Sequence, residues 1–384
     1  MARGQEVYGE PRAPELSCGS SVLLRASIAS DVALRTALAS VLSAALVRGT
    51  LSRPGREDGD RLEYYAELAD ARDVTRVFER PPTRVKISAT PLRDDLDGRR
   101  HIEVLRFRSP YRALNPALRS EYARGDSRNR LVAAHHWRHT DGPHRTLCVI
   151  HGFGASPVWF NALFFSLETF FNEGWDVLLY TLPFHGGRGG PLVPDGVGIF
   201  GAGASRIHEA ILQAVFDFRI LLDHLERYGA PRAGVTGLSL GGYISALLAA
   251  VDGRLDFVIP NAPVVWMPAL ISSWVPTNAV VGVGRRVLGI SDELLTRSFA
   301  LHSPLTYPAV VPKRRLLIVR GLGDKLAPPE QASMLWEHWG RPRMHSFAGS
   351  HVLHFGRGAY LEEMRRLMAR SSARAAARGR AETR

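Results

Sequence analysis

Apolar and polar positions recur along this chain in two alternating rhythms. Near-continuous apolar runs of four to eight residues, such as "RTLCVI", "WDVLLY", "LDFVIP" and "RRLLIV", are separated by longer stretches whose apolar residues return every three or four positions. The first pattern predicts strands buried on both faces. The second predicts amphipathic helices. From "HRTLCVIHGFG" onward the order is strand, helix, strand, helix: "PVWFNALFFSLETFFNEG" with Gly174 as a stop, "WDVLLYTLPF", then the long helix "SRIHEAILQAVFDFRILLDHLERYG". "AGVTG" and "GGYISALLAAV", "LDFVIPNAP", "RRLLIVRGLGD", "MLWEHWG", "RMHSFAGSH" and "RGAYLEEMRRLMAR" follow. Such alternation predicts an α/β fold with a mostly parallel central sheet and helices on both faces. Ligands in such sheets bind at the carboxyl ends of the strands.

Two strand-like runs precede the alternation, "RHIEVLRFRS" and "NRLVAAHHWRH". Before them, "SDVALRTALASVLSAALVRG" predicts a helix capped by Ser30 and stopped at Gly49, with a stripe of Leu34, Leu38, Val41, Leu42 and Ala45. "LEYYAELADARDVTRVF" predicts a second helix ended by Pro81 and Pro82. Residues 1–80 thus read as a helical extension, 81–368 as the main domain, and 369–384 as a basic disordered tail. The first 20 or so residues read as disordered too. Within the domain, residues 264–312 are long for a loop and rich in Trp266, Met267, Leu270, Trp274, Val275 and Phe299. They predict a helical cap over the strand ends, with Trp266, Met267 and Trp274 touching substrate.

Composition narrows the classes. The chain has 384 residues and a formal net charge of +12. Lysine occurs only at Lys86, Lys313 and Lys325, so the basic excess is arginine spread through the chain rather than a patch. No nucleic-acid motif accompanies it, and no nucleic-acid partner is expected. Weak association with an anionic membrane surface stays open. Two distant cysteines allow no disulfide framework or zinc spacing, and Cys148 reads as an inert core thiol. No signal-peptide pattern opens the sequence, and the apolar stretch 34–47, broken by Arg35, Ser40 and Ser43, reads as too short and too polar to span a bilayer. The expected location is cytoplasmic.

The candidate chemistry centres on "AGVTGLSLGG", which sets Ser239 between Gly237 and Gly241 at a strand-to-helix seam. This G-x-S-x-G pattern is that of a nucleophile elbow, a turn too sharp for side chains at the flanking positions. Four further stretches lie where a serine nucleophile needs them. "VIHGFG" follows the third predicted strand and "LPFHGGRGG" the next. "RGLGDKLAPP" puts Asp324 just past a buried strand, and "FAGSHVLHFG" puts His351 past the last one. Ser, Asp and His occur in that chain order.

Together these stretches resemble the α/β-hydrolase superfamily over roughly residues 86–368. A branch with a helical N-terminal extension is similar. The resemblance implies Ser239 as nucleophile, His351 as general base and acid, Asp324 as its orienting carboxylate, and the backbone N–H groups of Phe153 and Leu240 as the oxyanion hole. "HGFG" stands where many lipases carry HGGG. It implies a serine hydrolase of carboxylic esters or thioesters working through an acyl-enzyme, on a small-molecule or lipid acyl ester, with no cofactor or metal. An acyltransferase using the same triad and a non-catalytic binding member are the alternatives.

Competing residues read as structural. His354 is expected to pack or hydrogen-bond inside the following helix. His151 and His185 are expected to brace the site from below. "HHWRHTDGPH", with His135 and His139, reads as a surface hairpin rather than a metal site. "GVGIFGAGAS" reads as a mobile loop. Asp292 and Glu293 fall in a predicted helix and yield to Asp324 as the triad acid.

Overall fold

The computed structural model describes residues 18–51, 56–94, 98–125, 128–201 and 203–382. Nine strands form one sheet: β1 (Ser88–Asp94), β2 (Arg100–Arg108), β3 (Leu131–His139), β4 (Arg145–Ile150), β5 (Trp175–Tyr180), β6 (Ala233–Leu238), β7 (Val258–Asn261), β8 (Leu317–Gly321) and β9 (Arg343–Phe347). Their spatial order is β1-β2-β3-β5-β4-β6-β7-β8-β9. The pairs β1/β2, β2/β3 and β3/β5 are antiparallel, and every pair from β5/β4 to β8/β9 is parallel. The parallel half matches the predicted alternation.

Period-two side-chain placement builds the core on both faces of this sheet. Along β4, Cys148 and Ile150 enter one apolar cluster while Leu147 and Val149 enter the other. Along β5, Leu178 and Tyr180 part from Val177 and Leu179 in the same way. Burial raises the Cys148 thiol pKa, as befits an inert core group.

Several elements differ from expectation. β1 is an additional edge strand, exposed and interrupted by Pro91, so it lacked an apolar rhythm to read. The segment around His135 and His139 is not a hairpin. β3 and β4 do not pair, because β5 lies between them, and Asp176 of β5 accepts from the His139 amide at 2.9 Å. The second predicted helix is two, Arg56–Asp70 and Val74–Val77, because the Asp73 carboxylate caps the amides of Thr75 and Arg76. The last helix, Arg357–Glu382, continues through the expected tail, where alanine and arginine favour helix. Residues 1–17 lie outside the described residues, so the expected disorder there does too.

The N-terminal helix, Cys18–Leu51, starts well before Ser30 and runs through Gly49. Ser30 is an interior residue whose hydroxyl donates to the Ser27 carbonyl. The buried face also differs from the apolar stripe. It runs through Ser27, Asp31, Ala39, Leu42 and Ser43, while Leu34 and Val41 stay exposed. Small residues let the helix approach closely, and Ser43 meets Thr277 at 3.3 Å while the Thr277 hydroxyl donates to the Ala39 carbonyl at 3.1 Å. By length and composition alone, Val22–Arg48 could cross a membrane, contrary to the sequence reading of its shorter central stretch.

Helix Arg56–Asp70 is held to its surroundings by Tyr65, which reaches a buried carboxylate, and by ion pairs of Glu63 and Asp70 with Arg297 of the cap region. Glu209, on the long helix Gly203–Tyr228, accepts from the hydroxyls of Tyr65 (2.5 Å) and Tyr111 (2.6 Å) and from the amides of Leu114 and Asn115. Residues 264–312 contain helices Met267–Ser273, Thr277–Leu288 and Asp292–Ala300, the helical cap that was expected. Through Ser43 and Thr277 the cap and the N-terminal helix form one roof.

Candidate active site

The site begins at the turn after β6. Ser239 has φ 56° and ψ −110°, a conformation that β-carbon-bearing residues rarely hold. It is fixed on both sides: its amide donates to the Asn261 carbonyl, and its carbonyl accepts from the Tyr243 amide, each at 2.9 Å. The flanking glycines are required by contact. A β-carbon at Gly237 would lie 2.3 Å from the Gly241 carbonyl oxygen, and one at Gly241 would lie 2.1 Å from that of Ile150. Ser239 thereby heads the helix Leu240–Val251, whose positive end favours negative charge nearby.

Asp324 and His351 meet each other, and His351 lines the same cavity as Ser239. Asp324 follows β8 and is wholly buried, and its Oδ1 accepts from the amides of Leu326 (2.8 Å) and Ala327 (2.7 Å). Its Oδ2 lies 2.6 Å from Nδ1 of His351, past the end of β9. Burial disfavours the imidazolium, but the charge and hydrogen bond of Asp324, with a further contribution from Asp31, outweigh it and raise the His351 pKa. The two loops are also joined directly, the Gly323 amide donating to the Gly349 carbonyl at 2.8 Å.

The loop after β4 closes the other side. A β-carbon at Gly152 would stand 3.6 Å from that of Ser239, so this loop lies against the elbow. Ser239, Leu240, Phe153 and His351 line a single cavity of about 480 Å³, together with Met267 and Trp274 of the cap region. Trp266 does not line it. It precedes helix Met267–Ser273, where its amide is held by the Gln331 side chain at 2.8 Å. The indole Nε1 of Trp274 is buried and has no hydrogen-bond partner among the described residues.

No protein-family model matches the chain. It is 27% identical over 304 residues to an uncharacterized protein of Mycobacterium tuberculosis, found in strains CDC 1551 / Oshkosh and ATCC 25618 / H37Rv, covering 78% of this chain and 71% of the relative. Among solved structures it is similar to the acetyl xylan esterase 1 of Thermoanaerobacterium sp. JW/SL YS485, with TM-score 0.55, 18% identity, and 81% of this chain and 93% of that one covered. The acetyl xylan esterase of Paenibacillus sp. R4 gives TM-score 0.52 and 16% identity over 80% of this chain and 94% of that one. The fold is that of the α/β-hydrolases.

Within the α/β-hydrolase fold the competing residues take supporting places. His151 accepts from the Leu182 amide at Nε2 and faces the Gly152 carbonyl through Nδ1 at 2.8 Å, and burial pushes its pKa down to about 3. His185 Nδ1 lies 2.8 Å from the Pro183 carbonyl. His354 sits in the turn before the last helix rather than within it, 3.1 Å from both the Tyr360 hydroxyl and the His351 carbonyl, and burial lowers its pKa to about 3. Asp292 and Glu293 do lie on a helix, where Asp292 pairs with Arg285. "GVGIFGAGAS" forms a short turn, Val197–Phe200, and the start of helix Gly203–Tyr228, and Phe200 also lines the cavity.

Asp31 was not read as part of the site. Its Oδ2 accepts from the amides of His351 (2.8 Å) and Lys325 (3.0 Å), so the N-terminal helix grips both loops that carry the acid and the histidine. Leu24 and Ile28 press on Gly323 beside them, where a β-carbon would meet both within 3 Å. One signal was available: Asp31 is the sole acid in a long apolar helix, and buried carboxylates are rare without donors.

Proposed function

We propose that the protein is a serine hydrolase that cleaves carboxylic esters through an acyl-enzyme. The observation that carries this is the pairing of His351 with fully engaged Asp324 at 2.6 Å in the cavity that also holds Ser239 on its strained turn. Two structures of the same fold are acetyl xylan esterases, in line with ester chemistry.

In this reading Ser239 Oγ attacks the carbonyl carbon while His351 Nε2 takes its proton. The new C–O bond makes a tetrahedral oxyanion, which the amides of Phe153 and Leu240 stabilise. Collapse breaks the ester bond, and the leaving alcohol departs with the proton from His351. Water then attacks the acyl-enzyme, giving a proton to His351, and Ser239 leaves with it. Asp324 fixes the proton on Nδ1, so Nε2 is free to accept. Each role uses a group present in the chain.

The test is labelling with a fluorophosphonate probe, read beside hydrolysis of p-nitrophenyl acetate. The wild-type chain should label and turn over, and Ser239→Ala should do neither. Equal labelling of Ser239→Ala would overturn the assignment.

A further inference from the structure

The cavity that holds Ser239 does not end at the cap. A second cavity of about 120 Å³ adjoins it. Leu42, Phe200, Ile207, Ile271 and Thr277 line both, so the two meet where the N-terminal helix crosses the cap. The second one continues between that helix, at Leu46, and the cap helices, at Leu288 and Leu295.

The chemistry of these walls is selective. Among the described residues Arg285 is the one charged side chain lining the second cavity, and it is committed to Asp292 and to the Ile290 carbonyl. The Thr277 hydroxyl is committed to the Ala39 carbonyl. Beyond Ser272 and Ser205, whose buried hydroxyl has no hydrogen-bond partner among the described residues, the walls offer a polar ligand little in return for lost water, whereas methylenes gain by leaving water. The cap helix Thr277–Leu288 also keeps a glycine, Gly284, against this space. A β-carbon at Gly284 would meet no atom within 4 Å, so the room is real and nothing in the packing demands glycine.

We propose that the substrate is an ester bearing a long unbranched hydrocarbon chain, its carbonyl at Ser239 and its tail running past Leu42 and Ile271 to Gly284. This rests on the reading of Ser239 as the nucleophile of an ester hydrolase. The chain can enter on the acyl or the alcohol side of the ester, and the chemistry that recognises it is the same.

The test uses the full-length protein and two substrate series below their micellar concentrations: p-nitrophenyl esters from acetyl to palmitoyl, and acetate esters of alcohols of matching length. In one series kcat/KM should climb with length, by roughly fourfold per buried methylene at first. Gly284→Leu fills the second cavity with a better helix former. It should cut kcat/KM for the long members at least tenfold and leave p-nitrophenyl acetate within about twofold. Gly282→Leu makes the same change on the same helix at an open position outside both cavities, and should change neither. Binding of hexadecanoic acid to Ser239→Ala, with and without Gly284→Leu, reads the tail site without catalysis. Flat or falling profiles in both series, or tail binding indifferent to Gly284→Leu, would overturn the inference even if short esters are cleaved. Tail binding that Gly284→Leu abolishes, in a protein that cleaves no ester, upholds the chain site and removes the hydrolase reading instead.

Discussion

The carboxylate of Asp31 accepts a hydrogen bond from the backbone amide of His351, a residue 320 positions away, at 2.8 Å. The same oxygen accepts from the Lys325 amide. A helix at the start of the chain thus fixes the backbone of the loop that presents the imidazole and of the loop that presents its carboxylate. Asp31 touches no reacting atom, so it acts as a positioning residue.

Asp31→Ala leaves the buried His351 amide and the partly buried Lys325 amide without their acceptor. It should lower stability by about 2 kcal/mol or more and reduce kcat. Asp31→Asn retains an oxygen acceptor but no charge. It should recover most of the stability and shift the acid limb of the rate profile to lower pH, because Asp31 helps to raise the His351 pKa. Thermal melts and pH–rate profiles of both variants check this. An acid limb unmoved in Asp31→Asn would contradict it.

The His351 pKa lies above its ordinary value of 6.5. In the proposed mechanism neutral His351 is the base, so kcat/KM should fall as pH drops through that raised pKa. Stability runs the other way. The contribution of the imidazolium–Asp324 pair is fully present below pH 6.5 and is lost as pH rises through the folded value. Activity and melting temperature followed across pH 5 to 9 should therefore diverge over this window.

His351→Ala should reduce turnover by roughly four to six orders of magnitude while the chain still folds. His354→Ala removes a half-buried ring that packs on Phe164 and Phe347. Its main effect should be a melting point lower by several degrees, with ester turnover retained. A reversal of the two phenotypes would exchange the roles.

Gly241→Ala would drive a methyl group into the Ile150 carbonyl, backbone that cannot swing aside. The expected cost is about 3 kcal/mol or more, with activity lost even in the fraction that folds. Denaturant melts of this variant against Gly253→Ala, where a β-carbon meets nothing closer than 4.0 Å, separate the clash from loss of glycine as such.

Much of this site was legible because its requirements are local. A turn too tight for side chains demands glycine at Gly237 and Gly241. Asp324 and His351 follow apolar runs whose length marks them as strands. What stayed hidden depends on partners distant in sequence. Asp31 shows only as a lone acid in an apolar helix, since its donors are amides of residues 325 and 351. The buried face of that helix was only partly legible: Leu42 belongs to the apolar stripe, but Ser27, Asp31, Ala39 and Ser43 beside it serve close approach and hydrogen bonding. β1 escaped because an exposed edge strand containing Pro91 has no apolar rhythm. Trp266 was expected in the cavity because it lies in the apolar, aromatic-rich cap segment, and the direction of a side chain at a helix start is not written in its identity.

The long reach of Asp31 also sets a timetable for synthesis. The ribosome delivers the N-terminal helix first, yet its anchoring donors, the amides of Lys325 and His351, emerge near the end. Until then the Asp31 carboxylate lacks the two donors that hold it in the folded chain. A nascent chain halted after β7 contains Ser239 but neither Asp324 nor His351. The late loops that carry Asp324 and His351 are thus also the ones that give the first helix its seat.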